Sequence, residues 1–216
     1  MPRAEVAPSI LAADFGRLGD QVQEVVDAGA RTIHVDVMDG HFVPPLSMGP
    51  QVVSALRDRF GDAIVLDCHL MVERPERHVE AFASAGADGV TVHAEATPHV
   101  HFALQAVREA GMRAGLAVNP ATPLAVFETV ACDLALCMTV NPGWGGQTFI
   151  PESLERIRRL RAILGPDVAL EVDGGIDAQT AGPCVEAGAT LLVAGSAVFG
   201  GPDAGAALTR ILSGIA

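Results

Sequence analysis

Three features of this 216-residue chain predict an α/β fold, a single-domain (β/α)8 barrel of the TIM type. Apolar runs of strand length alternate eight times with amphipathic segments of helical period. The junctions repeat: Ala-Gly pairs at 28–29, 85–86, 110–111 and 187–188 return helix to strand, and prolines at 75, 98, 123 and 151 open the following helices. Eight units in 216 residues leave about 27 residues each, a spacing that suits a compact barrel. An open dinucleotide-binding sheet would want G-x-G-x-x-G after its first strand. Here that strand runs instead into Pro8-Ser9-Ile10-Leu11-Ala12-Ala13-Asp14.

Taken in order, the expected strands are 5–11, 32–38, 64–70, 89–93, 113–118, 134–140, 168–173 and 191–194. The expected helices lie near 17–28, 50–59, 75–85, 98–110, 123–130, 151–163, 177–185 and 203–213. The second strand is the most informative. A parallel strand covered on both faces should read as continuous Val, Ile and Leu, yet Thr32-Ile33-His34-Val35-Asp36-Val37-Met38 carries an imidazole, a carboxylate and a thioether at alternate positions. Alternate positions share a face, so His34, Asp36 and Met38 point together. The third strand repeats the pattern with His69 and Met71, and the seventh ends in Glu171-Val172-Asp173-Gly174-Gly175.

In a barrel the carboxyl ends of all strands open on one face, where His34, Asp36, His69 and Asp173 converge. Two imidazoles and two carboxylates with room for further ligands make a catalytic rather than a structural shell for one divalent metal ion: zinc, iron, manganese or cobalt. Asp36 and Asp173, from strands across the mouth, are also placed to exchange a proton at a carbon beside a carbonyl. The glycine-rich stretches Gly143-Trp144-Gly145-Gly146 and Gly195-Ser196, with Gly174-Gly175, let backbone N–H groups approach a phosphate, aided by a short helix after Ser196. Met38, Met71 and Met138 are candidates for the floor of the site. The remaining histidines, His41, His78, His93, His99 and His101, are read as surface or capping residues.

Composition narrows the function further. A net charge of −12 argues against a nucleic-acid surface. No apolar run is long enough for a membrane helix and no signal-type segment leads the chain, so a cytoplasmic protein is expected. The four cysteines show no paired spacing and are expected as reduced core thiols. All 14 basic residues are arginine, which excludes a lysine Schiff base and a Walker-type phosphate loop.

Seven blocks in order carry a resemblance: Ala7-Pro8-Ser9-Ile10-Leu11-Ala12-Ala13-Asp14-Phe15; His34-Val35-Asp36-Val37-Met38-Asp39-Gly40-His41-Phe42-Val43-Pro44; Cys68-His69-Leu70-Met71-Val72; Val140-Asn141-Pro142-Gly143; Gly145-Gly146-Gln147; Val172-Asp173-Gly174-Gly175-Ile176; and Ala194-Gly195-Ser196. On these the chain resembles the ribulose-phosphate 3-epimerase family along nearly its whole length. The resemblance implies an enzyme of the pentose phosphate pathway that interconverts D-ribulose 5-phosphate and D-xylulose 5-phosphate and forms homo-oligomers. It further implies that His34, Asp36, His69 and Asp173 hold the metal, and that Asp36 and Asp173 serve as catalytic acid and base. Ser9, His69, Gly143, Trp144, Gly145, Gly146, Asp173, Gly174, Gly175, Gly195 and Ser196 would bind the small-molecule sugar phosphate. The family usually has phenylalanine where Trp144 stands, and Pro45-Leu46-Ser47-Met48 replaces its usual Asn-Ile/Leu-Thr-Phe. Two alternatives follow: a 3-epimerase of the six-carbon allulose 6-phosphate, and a sugar-phosphate binding barrel without catalysis. A decarboxylase of the orotidine-phosphate type needs an Asp-x-Lys-x-x-Asp array, which a chain without lysine cannot supply.

Overall fold

A computed structural model describes residues 4–215. Eight parallel strands form one sheet: β1 (Glu5–Pro8), β2 (Thr32–Met38), β3 (Val65–Met71), β4 (Gly89–His93), β5 (Arg113–Val118), β6 (Leu134–Met138), β7 (Ala169–Asp173) and β8 (Leu191–Ala194). The sheet order is β1-β8-β7-β6-β5-β4-β3-β2, and a parallel bridge between Ser9 and His34 joins its two edges into a ring. The helices between them are α1 (Leu18–Asp27), α2 (Pro50–Phe60), α3 (Val79–Ser84), α4 (Val100–Glu109), α5 (Val126–Thr129), α6 (Ser153–Leu164), α7 (Ala181–Glu186), α8 (Ser196–Phe199) and α9 (Ala204–Ser213). This is the TIM-type barrel that the alternation predicts.

Several boundaries differ from expectation for local reasons. Strand β1 stops at Pro8, not residue 11, because Ser9 turns the chain into a 3-10 turn whose Leu11 N–H donates to the Ser9 hydroxyl. Strand β6 stops at Met138, where the Thr139 N–H and hydroxyl both donate to the Asp173 carbonyl. Helix α7 starts at Ala181 because Asp177 holds residues 177–180 in a side-chain-capped turn, accepting from the N–H groups of Gln179 and Thr180. Helix α5 is a single turn, and the 75–85 segment divides into the 3-10 turn Pro75–Arg77 and α3. Pro75 opens its turn, whereas Pro98, Pro123 and Pro151 stand just ahead of their helices. The Ala-Gly returns do reverse the chain as expected, Gly29 with φ of +108°.

Two cores separate at the sheet. Outward strand residues such as Ile33, Val35, Leu66, Leu70, Val90 and Leu170 pack with helix residues including Val22, Leu56, Leu104, Ile157 and Leu208 in the larger cluster. The barrel interior is divided. Ala7, Ala117, Leu134, Leu136, Met138, Leu191 and Val193 fill it from β1, β5, β6 and β8. From β2, β3, β4 and β7 it receives His34, Asp36, Asp67, His69, Thr91, His93, Glu171 and Asp173. The four cysteines are buried and unpaired, and burial pushes Cys132 up to about 11 and Cys184 to about 12, so they are inert core thiols. Among the described residues no helix is long and apolar enough to cross a membrane.

Candidate active site

The parallel register of β2 and β3 sets the site. It places His34 opposite Asp67, Asp36 opposite His69, and Met38 opposite Met71. Across the ring Met138 stands opposite Asp173. Every inward charge on β2 therefore meets a counter-group on β3, which lets an otherwise all-apolar strand carry them.

Asp36 is the centre of the cluster. Its Oδ2 accepts a hydrogen bond from the Ser9 hydroxyl at 2.6 Å, and its Oδ1 lies 3.0 Å from His69 Nδ1 and 3.3 Å from His34 Nε2. His69 Nδ1 is also 3.7 Å from Asp173 Oδ2. One donor atom from each of His34, Asp36, His69 and Asp173 falls within 4.8 Å of all the others. His34 Nε2, fully buried, points into this group with no hydrogen-bond partner, its approach to Asp36 being too poorly aligned to count as one. An unpartnered buried nitrogen facing two carboxylates is what a cation would satisfy, so these four residues fit a divalent metal.

A second layer lies beneath. His34 Nδ1 is 2.8 Å from Asp67 Oδ2 and 3.3 Å from Glu171 Oε1, and Arg113 donates to Asp67 Oδ1 at 3.2 Å. Sequence reading gave Asp67 and Glu171 no role, although they repeat the alternation one step before His69 and Asp173. A further correction concerns His93, read as a surface or capping residue. It is fully buried, its Nε2 is 2.8 Å from His69 Nε2, and its Nδ1 is 3.2 Å from Glu95 Oε2. His41, His78, His99 and His101 are exposed as expected.

These contacts separate the carboxylates. Burial works against ionisation of Asp36, but the facing imidazoles of His34 and His69 outweigh it and hold the group well below the usual carboxylate range. Asp173, desolvated and facing the Asp36 charge, is pushed up to about 7. Burial, followed by the charge of Asp67, pushes Glu171 to about 8. Burial also lowers His69 to about 4, against the pull of Asp36. His34, between Asp36 and Glu171, stays well above the ordinary histidine value despite its burial.

Above the cluster opens a cavity of about 310 Å³, within the usual range for small-molecule sites. Ser9, Asp36 and Asp173 line it together with Met38, Met71 and Met138. Its other wall comes from Gly143, Trp144, Gly145 and Gly146 after β6, Gly174 and Gly175 after β7, and Gly195 and Ser196 after β8. His34 and His69 lie behind this surface. Gly175 (φ +67°) has no room for a side chain, since a Cβ there would come within 2.5 Å of the Phe149 backbone nitrogen. The Trp144 loop is held by Gln147, which donates to the carbonyls of Asn141 and Trp144, and the indole is 56% exposed. The one-turn helix α8 begins at Ser196, on the cavity wall.

Comparison with known proteins agrees with this geometry. The model of the ribulose-phosphate 3 epimerase family matches residues 5–199. The chain is 49% identical to a ribulose-phosphate 3-epimerase of Bacillus subtilis over 213 residues, covering 96% of this chain and 97% of that protein. It is 51% identical to one of Synechocystis, with 95% and 92% covered, and 48% identical to one of Escherichia coli, with 92% and 90% covered. Among solved structures, a 3-hexulose-6-phosphate synthase from Salmonella typhimurium superposes with a TM-score of 0.76 at 16% identity, covering 98% of each chain. An orotidine 5'-phosphate decarboxylase from Pyrococcus horikoshii gives 0.71 at 18%, covering 97% of this chain and 98% of that one. At such identities these two share the fold alone.

Proposed function

The chain belongs to the ribulose-phosphate 3-epimerase family, and from that premise we propose that it inverts C3 of D-ribulose 5-phosphate to give D-xylulose 5-phosphate, with Asp36 and Asp173 as the proton-transferring pair. The observation that carries this reading is the meeting of two carboxylates, one from β2 and one from β7, at one cavity, their donor atoms within the 4.8 Å cluster.

Inversion at a carbon beside a carbonyl needs one group to take the C3 proton and a second to return a proton on the other face. Asp36, kept ionised and oriented by the Ser9 hydroxyl, accepts the proton in one direction. The electron pair left at C3 is delocalised onto the neighbouring carbonyl as an enediolate. Asp173, across the cavity from Asp36, returns a proton to C3 on the opposite face. In the reverse direction the two exchange roles. When bound by His34, Asp36, His69 and Asp173, a divalent cation supplies stabilisation of the negative charge that grows on the substrate oxygens. The donor set suits zinc, iron, manganese or cobalt, and metal analysis of the purified protein assigns it. Met38, Met71 and Met138 provide a dry, uncharged floor beneath the planar enediolate. The glycine stretches after β6, β7 and β8 bring backbone close to the phosphate, with Trp144 in the covering loop. Self-association of the chain, carried by family likeness, is tested by sedimentation.

Turnover in heavy water places deuterium at C3 of both ketose phosphates. Asp36→Asn and Asp173→Asn each lower kcat by about 100 to 10,000-fold, with circular dichroism unchanged. Wild-type turnover in either variant, or product without deuterium from metal-loaded protein, would falsify the two-carboxylate reading. Comparison of ribulose 5-phosphate with allulose 6-phosphate as substrates fixes the chain length preferred.

A further inference from the structure

The two imidazoles of the cluster are mounted in opposite senses. His34 presents Nε2 to the site and turns Nδ1 to a carboxylate, Asp67. His69 presents Nδ1, and behind its Nε2 stands another imidazole, His93, at 2.8 Å. His93 is fully buried, and the ring of Phe42 lies 4.8 Å away, tilted by 45°, so packing holds it in place. Its far nitrogen meets Glu95, whose other oxygen accepts from the Asn119 N–H at 2.8 Å and from the Thr122 hydroxyl. A hydrogen-bonded row thus runs from Asp36 through His69 and His93 to the loop after β5.

With both rings neutral, the row admits two proton orders, because each ring has one donor and one acceptor nitrogen. In the first, His93 Nδ1–H donates to the Glu95 carboxylate, His93 Nε2 accepts from His69 Nε2–H, and His69 Nδ1 is bare. In the second, His69 Nδ1–H donates to Asp36, His93 Nε2–H donates to His69, and the bare His93 Nδ1 faces the Glu95 carboxylate in repulsion. Burial opposes ionisation of Glu95, yet the hydrogen bonds from His93, Thr122 and the Asn119 backbone lower it to about 2, so it accepts only. The first order is favoured by this anchor, and it leaves two lone-pair groups, His69 Nδ1 and Asp36 Oδ1, facing each other at 3.0 Å. A cation between them turns that contact from repulsive to attractive.

We propose that His93, anchored by Glu95, is a positioning residue for His69: it accepts the Nε2–H of His69 and so keeps the Nδ1 lone pair aimed at the cation site. The proposal rests on the reading of His69 as a metal ligand. Groups that orient a metal-bound histidine are typically worth about 10 to 100-fold in metal affinity.

The test compares wild type, His93→Gln, His93→Leu and Glu95→Ala as cobalt(II)-loaded protein, reading the dissociation constant by chelator competition and the visible ligand-field spectrum. His93→Leu, with no acceptor, binds cobalt about 10 to 100-fold more weakly with a shifted spectrum. His93→Gln carries a carboxamide oxygen to the place of Nε2 and recovers most of the affinity. Nitrogen-15 spectra of the zinc-loaded wild type show the His69 proton on Nε2. Glu95→Ala removes the acceptor and leaves the barrel interior untouched, so if His93→Leu does not fold, its weakened affinity and the wild-type proton position decide the matter. Unchanged affinity and spectrum in His93→Leu or Glu95→Ala overturns the proposal, as does equal loss in His93→Gln and His93→Leu, or a bare His69 Nε2. Wild-type protein that takes up no cobalt at this cluster overturns the ligand reading itself, a result distinct from these.

Discussion

The residues that were legible in the sequence are those whose polarity breaks an apolar strand. His34, Asp36, His69 and Asp173 announce themselves in this way, and the structure brings all four together. His93 follows the same rule, ending the Gly-Val-Thr-Val-His run of β4, but one imidazole at a strand end reads equally well as a surface group. What identifies it is the approach of a second strand, and that is tertiary information. Glu95 was harder still, since it sits in a turn, where a carboxylate is ordinary. Its acid stability is testable at this scale. The folded value of about 2 lies below the unfolded 4.5, so its contribution is fully present above pH 4.5 and is lost as pH falls toward 2. Its side chain retains 24% exposure, and the shift corresponds to at most about 3 kcal/mol. Chemical unfolding of Glu95→Gln is expected to show a stability deficit against wild type at pH 6 that shrinks by pH 3.

At the level of the element, strand positions were readable to within three residues because their apolar runs are long relative to the turns between them. The ends moved where a side chain captured the backbone, as Ser9, Thr139 and Asp177 do. A device invisible in the pattern recurs twice. Arg57, in the last turn of α2, donates to the carbonyls of Gly61, Ile64 and Gly86. Arg161, in the last turn of α6, donates likewise to Gly165, Val168 and Gly188. Each guanidinium ties its own helix end to the start of the following strand and to the next helix's return, joining neighbouring βα units. Arg161→Met leaves those carbonyls without a donor and is expected to cost about 2 to 4 kcal/mol in urea unfolding, with KM unchanged.

For the whole molecule, the divided interior is the organising fact. Leucine, valine and methionine from β1, β5, β6 and β8 fill one part of the interior, and ionisable groups of β2, β3, β4 and β7 fill the rest, with β7 standing between β6 and β8. The apolar residues fill volume and the ionisable ones form the proposed site, so their variants are expected to fall into separate classes. Leu136→Ala, at a fully buried apolar position, should lower stability by about 2 to 5 kcal/mol, read by thermal melting, while metal content at 25 °C is kept. Composition foretold the absence of lysine chemistry. It could not foretell this division, which depends on which residues of each strand the closed ring turns inward.

The Ser9–His34 bridge gives ring closure a consequence of its own. Elsewhere in the ring each strand is zipped to the next over several residues, but β1 and β2 are buttoned at this one point. The same serine then reaches Asp36. The latch that shuts the cylinder thus also holds the carboxylate proposed to take the proton, and gentle warming that springs it should silence turnover while the far-ultraviolet helical signal is still whole.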